Sequence, residues 1–310
     1  MIKRACLGAL IGLTLASATA FAAQPSYADM LPKYNYTLID SHQVEGRQGI
    51  ACDGKYYYVS GSKTLAKYDK KWNLIKIDRD PFVSYEVKAN HFGDIDVYNG
   101  EIFCGAENFM DGVGKDIQIT IHDADTLKFK RSFPFAADSG QVECSGITVN
   151  TDDKTVWMCS WVGEESGRYL YEYDLDTGYF LRKVNLQAPP YWVQGMFYWD
   201  GSFFMTADDG RADIDGDHDK GEPDCLWRAD IKKMDTKVRT VRERAFTDVT
   251  FQGEIEGLAV DPATNEFLLL YNRGSRIILG MVRGFYPGYD KEITEVFRYK
   301  MEKIDWSKQK

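Results

Sequence analysis

The feature of this sequence that most constrains its fold is a hairpin plan that recurs five times. The clearest copy is EIEGLAVDPATNEFLLLY, from Glu254 to Tyr271, in which a turn rich in Asp, Pro and Asn joins two apolar runs. Apolar runs around such a turn are typical of a β-hairpin. The other four copies begin at Gln48, Gly93, Ser145 and Gln194. We therefore interpret the chain as five internal repeats.

The repeat length predicts the architecture. The glycines that open the apolar runs recur at intervals of about 44 to 62 residues, which spans the blade length of β-propellers. These glycines are Gly49, Gly93, Gly146, Gly195 and Gly257. Each repeat continues with two further strand-like runs, which gives four strands per unit. The sequence thus predicts an all-β fold, a five-bladed β-propeller with four antiparallel strands per blade, over residues 35–300. Residues 35–40 are expected to pair with the last blade and close the ring, because the end blades would otherwise expose edges.

The ends of the chain indicate an exported protein. Residues 1–22 combine Lys3 and Arg4, an apolar stretch and small residues up to Ala22, which is the pattern of a secretory signal peptide. The apolar stretch is short for a membrane span. Residues 23–34 are expected to form a linker, and residues 301–310 a charged, frayed tail. We expect a periplasmic or secreted monomer.

Charge and cysteine content restrict the partners and the covalent structure. The net charge is −9, and no basic run is interleaved with aromatic residues, so neither nucleic acid nor an anionic membrane is an expected partner. Removal of the signal leaves five cysteines, so at least one thiol stays unpaired. A turn at Asn150–Asp153 would set Cys144 opposite Cys159, as a disulfide or as two buried thiols.

Acidic residues at the starts of the inner strands are the candidate catalytic groups. In a propeller these starts share one face with the loops between second and third strands, and ligands usually bind there. Burial and mutual repulsion raise the pKa of carboxyl groups in such a place. The candidates are Glu143, Glu254 and Glu256, with His91 as a possible acid or base. The alternative is that such loop ends are polar because they face solvent, with His91 an exposed loop imidazole.

The same face supplies candidate contacts to a small-molecule or glycan ligand. We predict that Trp161 and Trp192 form apolar walls against which the ligand stacks. The complete predicted binding set is Asn90, Trp161, Trp192, Gln194, Asn272 and Arg273. Arg47 and Glu107 belong to the same face, but the sequence gives them no particular role.

A loop in the fourth repeat carries aspartates at alternate positions. It runs from Asp213 to Asp224, and the predicted metal ligands are Asp213, Asp215, Asp217, Asp219 and Asp224. Their mutual repulsion favours a hard divalent cation, and calcium is the expected cofactor. The loop resembles EF-hand-like and thrombospondin-type calcium loops, although His218 stands where an EF-hand has glycine and Asp224 where it has glutamate. The alternative is a solvated acidic loop.

The repeats also resemble those of exported propellers of the glutamine cyclotransferase, lactonase-like and SdiA-regulated groups. The resemblance is carried by Gln48-Gly49-Ile50 and by the run from Glu256 to Pro262. It implies the propeller fold more than any one activity. The plant-type glutaminyl cyclase pattern places a catalytic glutamate directly before the second-blade glycine, where this chain has Phe92.

Three classes of function remain open from the sequence. The chain lacks the Gly-x-Ser-x-Gly, His-Glu-x-x-His and phosphate-loop motifs of several large enzyme classes. The clustered carboxylates favour a hydrolase or lyase that acts on a small ester, lactone or sugar-like substrate. A glutaminyl-peptide cyclotransferase and a non-catalytic binding propeller are the alternatives.

Overall fold

The structure is a computed structural model that describes residues 27–134, 136–161, 165–208, 223–249 and 252–308. The chain divides into two compact units, residues 1–30 and 31–310. In the first, the described residues form a short 3₁₀ helix at Tyr27–Met30. The described residues of the second unit form the strands and three more short 3₁₀ helices, Ala137–Ser139, Ser166–Arg168 and Trp306–Lys308. Within the described ranges, no helix is long and apolar enough to cross a membrane.

Three sheets of the second unit have four strands each. The first joins strands from both ends of the chain in the order β1-β22-β19-β18, and the other two are the meanders β2-β3-β4-β5 and β6-β7-β8-β9. The bounds of the first nine strands are β1 Tyr34–Gln43, β2 Gly49–Cys52, β3 Tyr57–Gly61, β4 Thr64–Tyr68, β5 Leu74–Asp78, β6 His91–Tyr98, β7 Glu101–Met110, β8 Val113–Asp123 and β9 Phe129–Pro134.

A larger, eight-stranded sheet has the order β10-β11-β12-β13-β17-β16-β15-β14. It consists of two antiparallel meanders of four strands, joined by a short parallel pairing of residues 185–187 with 237–239. A further sheet, β20-β21, has two strands. The remaining bounds are β10 Ile147–Asn150, β11 Thr155–Met158, β12 Tyr169–Asp174, β13 Phe180–Gln187, β14 Val193–Trp199, β15 Ser202–Ala207, β16 Cys225–Ala229, β17 Lys237–Ala245, β18 Gly253–Asp261, β19 Glu266–Arg273, β20 Ser275–Ile278, β21 Met281–Phe285 and β22 Ile293–Lys303.

The five hairpins predicted from the repeats are confirmed. They are the antiparallel pairs β2-β3, β6-β7, β10-β11, β14-β15 and β18-β19. Two of the turns need left-handed backbone at both central residues: Asn99 and Gly100 have φ of 50° and 74°, and Asp200 and Gly201 have φ of 47° and 75°. Asn-Gly and Asp-Gly tolerate that geometry, which matches the twist of the flanking strands.

The first strands of the repeats, β2, β6, β10, β14 and β18, contact one another in a closed ring. Residues of β2, β10 and β18 are buried throughout, whereas the outer strand β5 is half-buried or exposed. This gradient explains the sequence, because innermost strands are apolar runs while outer strands mix charged and apolar residues. The fold is therefore all-β and propeller-like.

The predicted closing strand is confirmed. β1 pairs antiparallel with β22, from Tyr34 opposite Lys303 to Gln43 opposite Glu295. The backbone N–H groups of Lys33 and Tyr34 also donate to the buried carboxylate of Glu243, at 2.7 and 2.8 Å. β22 continues to Lys303, so the first residues of the predicted tail are part of a strand.

The hydrophobic core lies between the faces of neighbouring sheets. Phe246, which directly follows β17, packs its ring on Phe267 of β19 and Tyr299 of β22, with centroids 6.3 and 5.9 Å away. All three side chains are fully buried. Burial of each such ring stabilises the fold by about 1.5–3 kcal/mol, so this cluster is a main attachment between two sheets.

The expected register that sets Cys144 opposite Cys159 is wrong, and of the two alternatives for these cysteines the structure has the buried thiols. The β10-β11 register sets Ile147 opposite Met158, which is two residues away from the register expected from the turn. The Cys159 N–H donates to the carbonyl of Gly146, and its sulfur lies 3.5 Å from Ser145 Oγ. Both cysteines are free and buried.

Candidate active site

A small cavity lies at the starts of the inner strands. Its space, including the part open to solvent, is about 350 Å³. It is lined by Arg47, Gln48, His91, Phe109, Glu143, Ser145, Trp161, Gln194, Glu254, Glu256 and Gly280. These residues come from widely separated parts of the chain, so the cavity exists only in the closed ring.

Bulges at the landmark glycines direct side chains into the cavity. In β18 the register shifts between Ile255 and Leu258, so that Glu256 and Gly257 together face one residue of β19. β14 has a similar shift at Gln194. A bulge bends the strand and re-aims its side chains. This bending explains why Glu254, Glu256 and Gln194 all line the cavity.

Glu254 and Glu256 form the acidic wall. The Asn272 amide donates to Glu256 Oε1 at 2.8 Å, and its Oδ1 accepts the Glu254 N–H at 3.3 Å. Arg47 is ion-paired with Glu254 at 3.7 Å and with Glu292 at 3.0 Å. Burial raises the pKa of Glu254 to about 7, against the opposing attraction of Arg47. Burial and the charge of Glu254 raise the pKa of Glu256 well above its usual range. One of the two is therefore available as a proton donor near neutral pH.

Hydrogen bonds hold both the backbone carbonyl and the carboxylate of Glu143. Its carbonyl oxygen accepts hydrogen bonds from Ser160 Oγ at 2.7 Å and from the Gln141 amide at 2.9 Å. Its carboxylate accepts the backbone N–H of Trp161. The side chain is buried and lines the cavity, so its carboxyl group is held in one orientation before any ligand arrives.

His91 stands between the cavity and a second buried acid. Its Nδ1 lies 3.5 Å from Oε1 of Glu107, directly opposite on β7. Burial, reinforced by the charge of Arg47, lowers the pKa of His91 to about 3. Burial raises the pKa of Glu107 to about 8, although the Cys144 N–H and the Glu143 carboxyl oppose that shift. At neutral pH both groups are uncharged.

Aromatic rings form an arc along one side of the cavity. The His91 ring stacks on Phe109 at 5.0 Å, and Phe109 meets Trp161 edge-on at 6.4 Å. Trp192 lies 6.0 Å beyond Trp161 but is 52 % exposed. The arc offers a stacking surface to a planar or sugar-like ligand.

The structure brings six of the predicted site residues to the cavity wall and leaves four outside it. His91, Glu143, Trp161, Gln194, Glu254 and Glu256 line the cavity. Asn90 instead binds the backbone of Phe109, donating at 3.2 Å and accepting at 2.8 Å. Asn272 lies behind Glu256, and Arg273 is ion-paired with Glu295 at 2.8 Å. Trp192 is on the rim.

Several residues at the site were given no role from the sequence. Arg47 and Gln48 precede β2, Ser145 precedes β10, and Phe109 is the second-last residue of β7. Gly280, in the turn between β20 and β21, reaches the cavity from the last repeat and packs on Phe109. Nothing in the hairpin pattern of the repeats indicates that Gly280 reaches the cavity.

The predicted calcium loop lies mostly outside the described residues. Of its five aspartates, only Asp224 is described, and it is buried. Its charge, after the larger effect of burial, raises the pKa of Asp208, whose Oδ1 is buried without a hydrogen-bond partner. Among the described residues, no group of three or more His, Cys, Asp or Glu side chains is arranged to hold a metal ion.

Comparison with known proteins locates the chain at the level of fold. No family matches the sequence, and no curated protein matches it. The chain is similar to a solved glutaminyl cyclase from Myxococcus xanthus, with 11 % identity and a TM-score of 0.56, over 88 % of this chain and 100 % of that one. This likeness confirms the propeller-type resemblance as one of fold.

Two further solved structures are similar at lower scores. The PQQ-bound aldose sugar dehydrogenase from Streptomyces coelicolor has 11 % identity and a TM-score of 0.48, over 87 % of this chain and 99 % of that one. Hydrazine synthase from Kuenenia stuttgartiensis has 9 % identity and a TM-score of 0.43, over 86 % of this chain and 66 % of that one.

Proposed function

We propose that the protein is a five-bladed β-propeller enzyme whose reaction takes place in the cavity at the starts of the inner strands. The support for five blades is the ring of five inner strands, together with the division of the eight-stranded sheet into two four-stranded meanders. Each inner strand then begins one blade, and β20-β21 is an insertion in the last.

The single observation that carries the proposal of catalysis is the meeting of Glu143, Glu254 and Glu256 with His91 in one cavity. Burial of a carboxyl group destabilises the folded state, and buried carboxyl groups with raised pKa values occur preferentially at functional sites. Only Arg47 and His91 among the lining residues carry basic groups, so the cavity suits a neutral, polar substrate with oxygen atoms to protonate.

The arrangement fits the hydrolysis of a small ester, lactone or sugar-like substrate. A carboxylate accepts a proton from water, and the water oxygen bonds to the reacting carbon. The bond from that carbon to the leaving oxygen breaks, and a protonated carboxyl group supplies the leaving oxygen with its proton. Glu256, held by Asn272, is the proposed proton donor, and Glu143 is the proposed base.

The decisive experiment is a turnover screen of lactones, aryl esters, oligosaccharides and N-terminal glutaminyl peptides. Each class is tested with the wild type and with Glu256→Gln, Glu143→Gln and the exposed control Glu302→Gln. We expect one class to be turned over, with a loss of at least about 100-fold in the first two variants and no change in the control. Equal, small effects in all three folded variants would show that the site is elsewhere.

A glutaminyl-peptide cyclotransferase is the second candidate, because the chain shares its fold with a glutaminyl cyclase. Against it, Phe92 occupies the position of the catalytic glutamate in the plant-type pattern, and its ring is fully buried in the core. Cyclisation of glutaminyl peptides in the screen would favour this candidate. Ligand binding without turnover of any class would favour a non-catalytic binding propeller.

We also propose calcium as the bound cation of the Asp213–Asp224 loop, on the strength of its alternating aspartates. Calcium that binds only the folded chain raises Tm by mass action. We expect chelation to lower Tm in the wild type and in the exposed control Asp290→Asn, but not in Asp215→Asn/Asp217→Asn. No heat on calcium titration of chelated protein would exclude the proposal.

Export to the periplasm or the exterior is proposed from the leader pattern of residues 1–22. The mass of the mature protein recovered from expressing cells tests it. A polypeptide that begins near residue 23 is expected, and full-length protein retained inside the cell would contradict it.

A further inference from the structure

Glu107 is buried, and although the Cys144 N–H and the Glu143 carboxyl group lie near it, neither forms a hydrogen bond of normal geometry with it. Its side chain is fully inaccessible to solvent, and neither of its carboxyl oxygens makes a hydrogen bond of normal geometry. Buried polar atoms almost always have a hydrogen-bond partner, so two buried carboxyl oxygens without one require an explanation. Glu107 does not line the cavity, which excludes direct contact with a ligand as that explanation.

Nδ1 of His91 faces Glu107 from the cavity side. The distance is 3.5 Å, and Nδ1 is likewise buried without a hydrogen-bond partner. Because His91 and Glu107 are directly opposite on β6 and β7, the pairing is built into the sheet. His91 also lines the cavity, so we assign Nε2, the ring nitrogen that is not paired with Glu107, to contact with a ligand. Hydrogen bonds of this kind are often long without ligand and shorten when one binds.

The sequence also keeps space for the Glu107 carboxyl group. A Cβ atom at Gly114 of β8 would overlap Oε2 of Glu107 and would lie 3.0 Å from its Cδ. Gly114 has no left-handed backbone that would itself require glycine. The absence of a side chain there is therefore explained by the carboxyl group that occupies its place.

We propose that Glu107 is a positioning residue that sets the tautomer of His91, and thereby decides whether Nε2 donates or accepts a proton in the cavity. When Glu107 is a carboxylic acid, it donates to Nδ1, and Nε2 carries the ring proton. When Glu107 is a carboxylate, Nδ1–H donates to it, and Nε2 is an acceptor. The catalytic consequence rests on the proposed function, but the tautomer itself does not.

The charges around the pair determine where the change takes place. The groups that face it are Glu143 and the Cys144 thiol, which lie near Glu107, and Arg47, which lies near His91. Because the pKa of His91 is lowered to about 3, the ring stays neutral above pH 5. The pKa of Glu107, raised to about 8, places its ionisation at mildly alkaline pH. On that ionisation the carboxyl proton passes to Nδ1 and the Nε2 proton leaves to solvent, so one proton is released in total.

Nitrogen-15 NMR of the histidine rings tests the proposal without any substrate. The His91 signals are assigned from their loss in His91→Gln, and the spectra are followed from pH 5 to 10. We expect His91 to change from mainly Nε2–H to mainly Nδ1–H over about two pH units centred near 8. The change should be absent in Glu107→Gln, present in the exposed control Glu302→Gln, and displaced in Gly114→Ala, which alters no titrating group.

One tautomer of His91 at every pH, or a change that persists unaltered in Glu107→Gln, would overturn the proposal. Glu107→Gln has nearly the same shape as the wild type, so the test does not depend on Gly114→Ala remaining folded. The outcome is also separate from the proposed function. A normal tautomer change in a protein that turns over no substrate would remove the enzyme hypothesis and leave the role of Glu107 intact.

Discussion

The amide of Asn272 is positioned behind the cavity to hold both acids of β18, since it donates to Glu256 and accepts from the N–H of Glu254. Replacement by leucine keeps the approximate shape and removes both bonds. An unsatisfied buried polar group costs about 1–3 kcal/mol, so we expect Asn272→Leu to lower the free energy of unfolding by that amount in urea titrations. Asn185→Leu, which removes two long, exposed hydrogen bonds of 3.4 and 3.3 Å, is the matched control and should change the free energy of unfolding by less than about 0.5 kcal/mol.

Buried acids also make stability depend on pH. Glu107 and Glu254 have pKa values raised by burial to about 8 and about 7, above their unfolded values. The folded state therefore binds more protons than the unfolded state, and stability falls as pH rises through this range. Burial lowers the pKa values of His91 and His122 to about 3 and about 4. These two histidines make stability rise with pH, but only below about pH 6.5, the pKa of an unfolded histidine.

Between pH 6.5 and 8.5 the pH dependence of stability reports the carboxyl groups without the histidines. We expect the urea midpoint to fall across this range, and to fall less in Glu107→Gln, whose side chain has no proton to lose. A midpoint that is constant or rises over this range would show that neither carboxyl group is held protonated in the folded protein.

At the scale of elements, the inner strands meet around the carboxyl group of Asp94. Its oxygens accept the N–H groups of Ile95 at 2.8 Å and of Met196, on another sheet, at 3.0 Å. Gly257 packs against this group so closely that a Cβ there would lie 2.6 Å from the Cα of Gly49 and would overlap Asp94. Glycine is thus required by the close approach of three strands.

Gly257→Ala should therefore destabilise the fold by at least about 2–3 kcal/mol, because inner strands cannot separate without loss of their ring contacts. The measurement is the midpoint of thermal or urea unfolding. Gly167→Ala is the control, since its Cβ would meet only the Ser160 carbonyl at an ordinary 3.5 Å. An equal, small change in both variants would mean that the strands are not tightly packed at Gly257.

The same elements show what the sequence could and could not reveal. The hairpins and the closing strand β1 were predictable, because alternation, Asn-Gly and Asp-Gly turns and apolar runs are local signals. The register near Cys144 was not, because Asn150 pairs with Thr155, so the turn lies one residue later than expected and includes Lys154, whose φ is 59°. A one-residue change in the turn moves the partner of every residue in the strand by two, and the turn residues alone do not reveal it.

The candidate site was predictable only in part for a similar reason. Glu254 and Glu256 were identified because inner-strand starts converge in any propeller. Arg47 was placed on this face without a role. Phe109 and Gly280 were not, because their meeting depends on how segments of different repeats pack, which no single repeat encodes. Glu107 was placed on the correct face, but its burial behind His91 follows from the register of β6 with β7.

For the whole molecule, closure of the ring depends on β1, which supplies the outer strand beside β22 from the opposite end of the chain. Loss of β1 would expose the edge of β22 and remove Tyr34, whose N–H donates to buried Glu243. Glu243 is itself paired with buried Arg228 at 2.9 Å, so the loss would extend to a second sheet. Stability should thus depend on a strand that contributes no residue to the cavity lining.

A chain that begins at Val44 tests this dependence against a control chain that begins at Leu31. We expect the control to unfold cooperatively like the full-length protein, whereas the shortened chain should have a Tm at least about 10 °C lower or aggregate through its open edge. A synthetic peptide of residues 31–44 should then bind the shortened chain saturably and restore its Tm, because strand addition replaces the missing backbone hydrogen bonds. A shortened chain as stable as the control would show that the ring closes without β1. A shortened chain that stays folded but is not stabilised by the peptide would show that β1 acts by covalent tethering rather than by pairing.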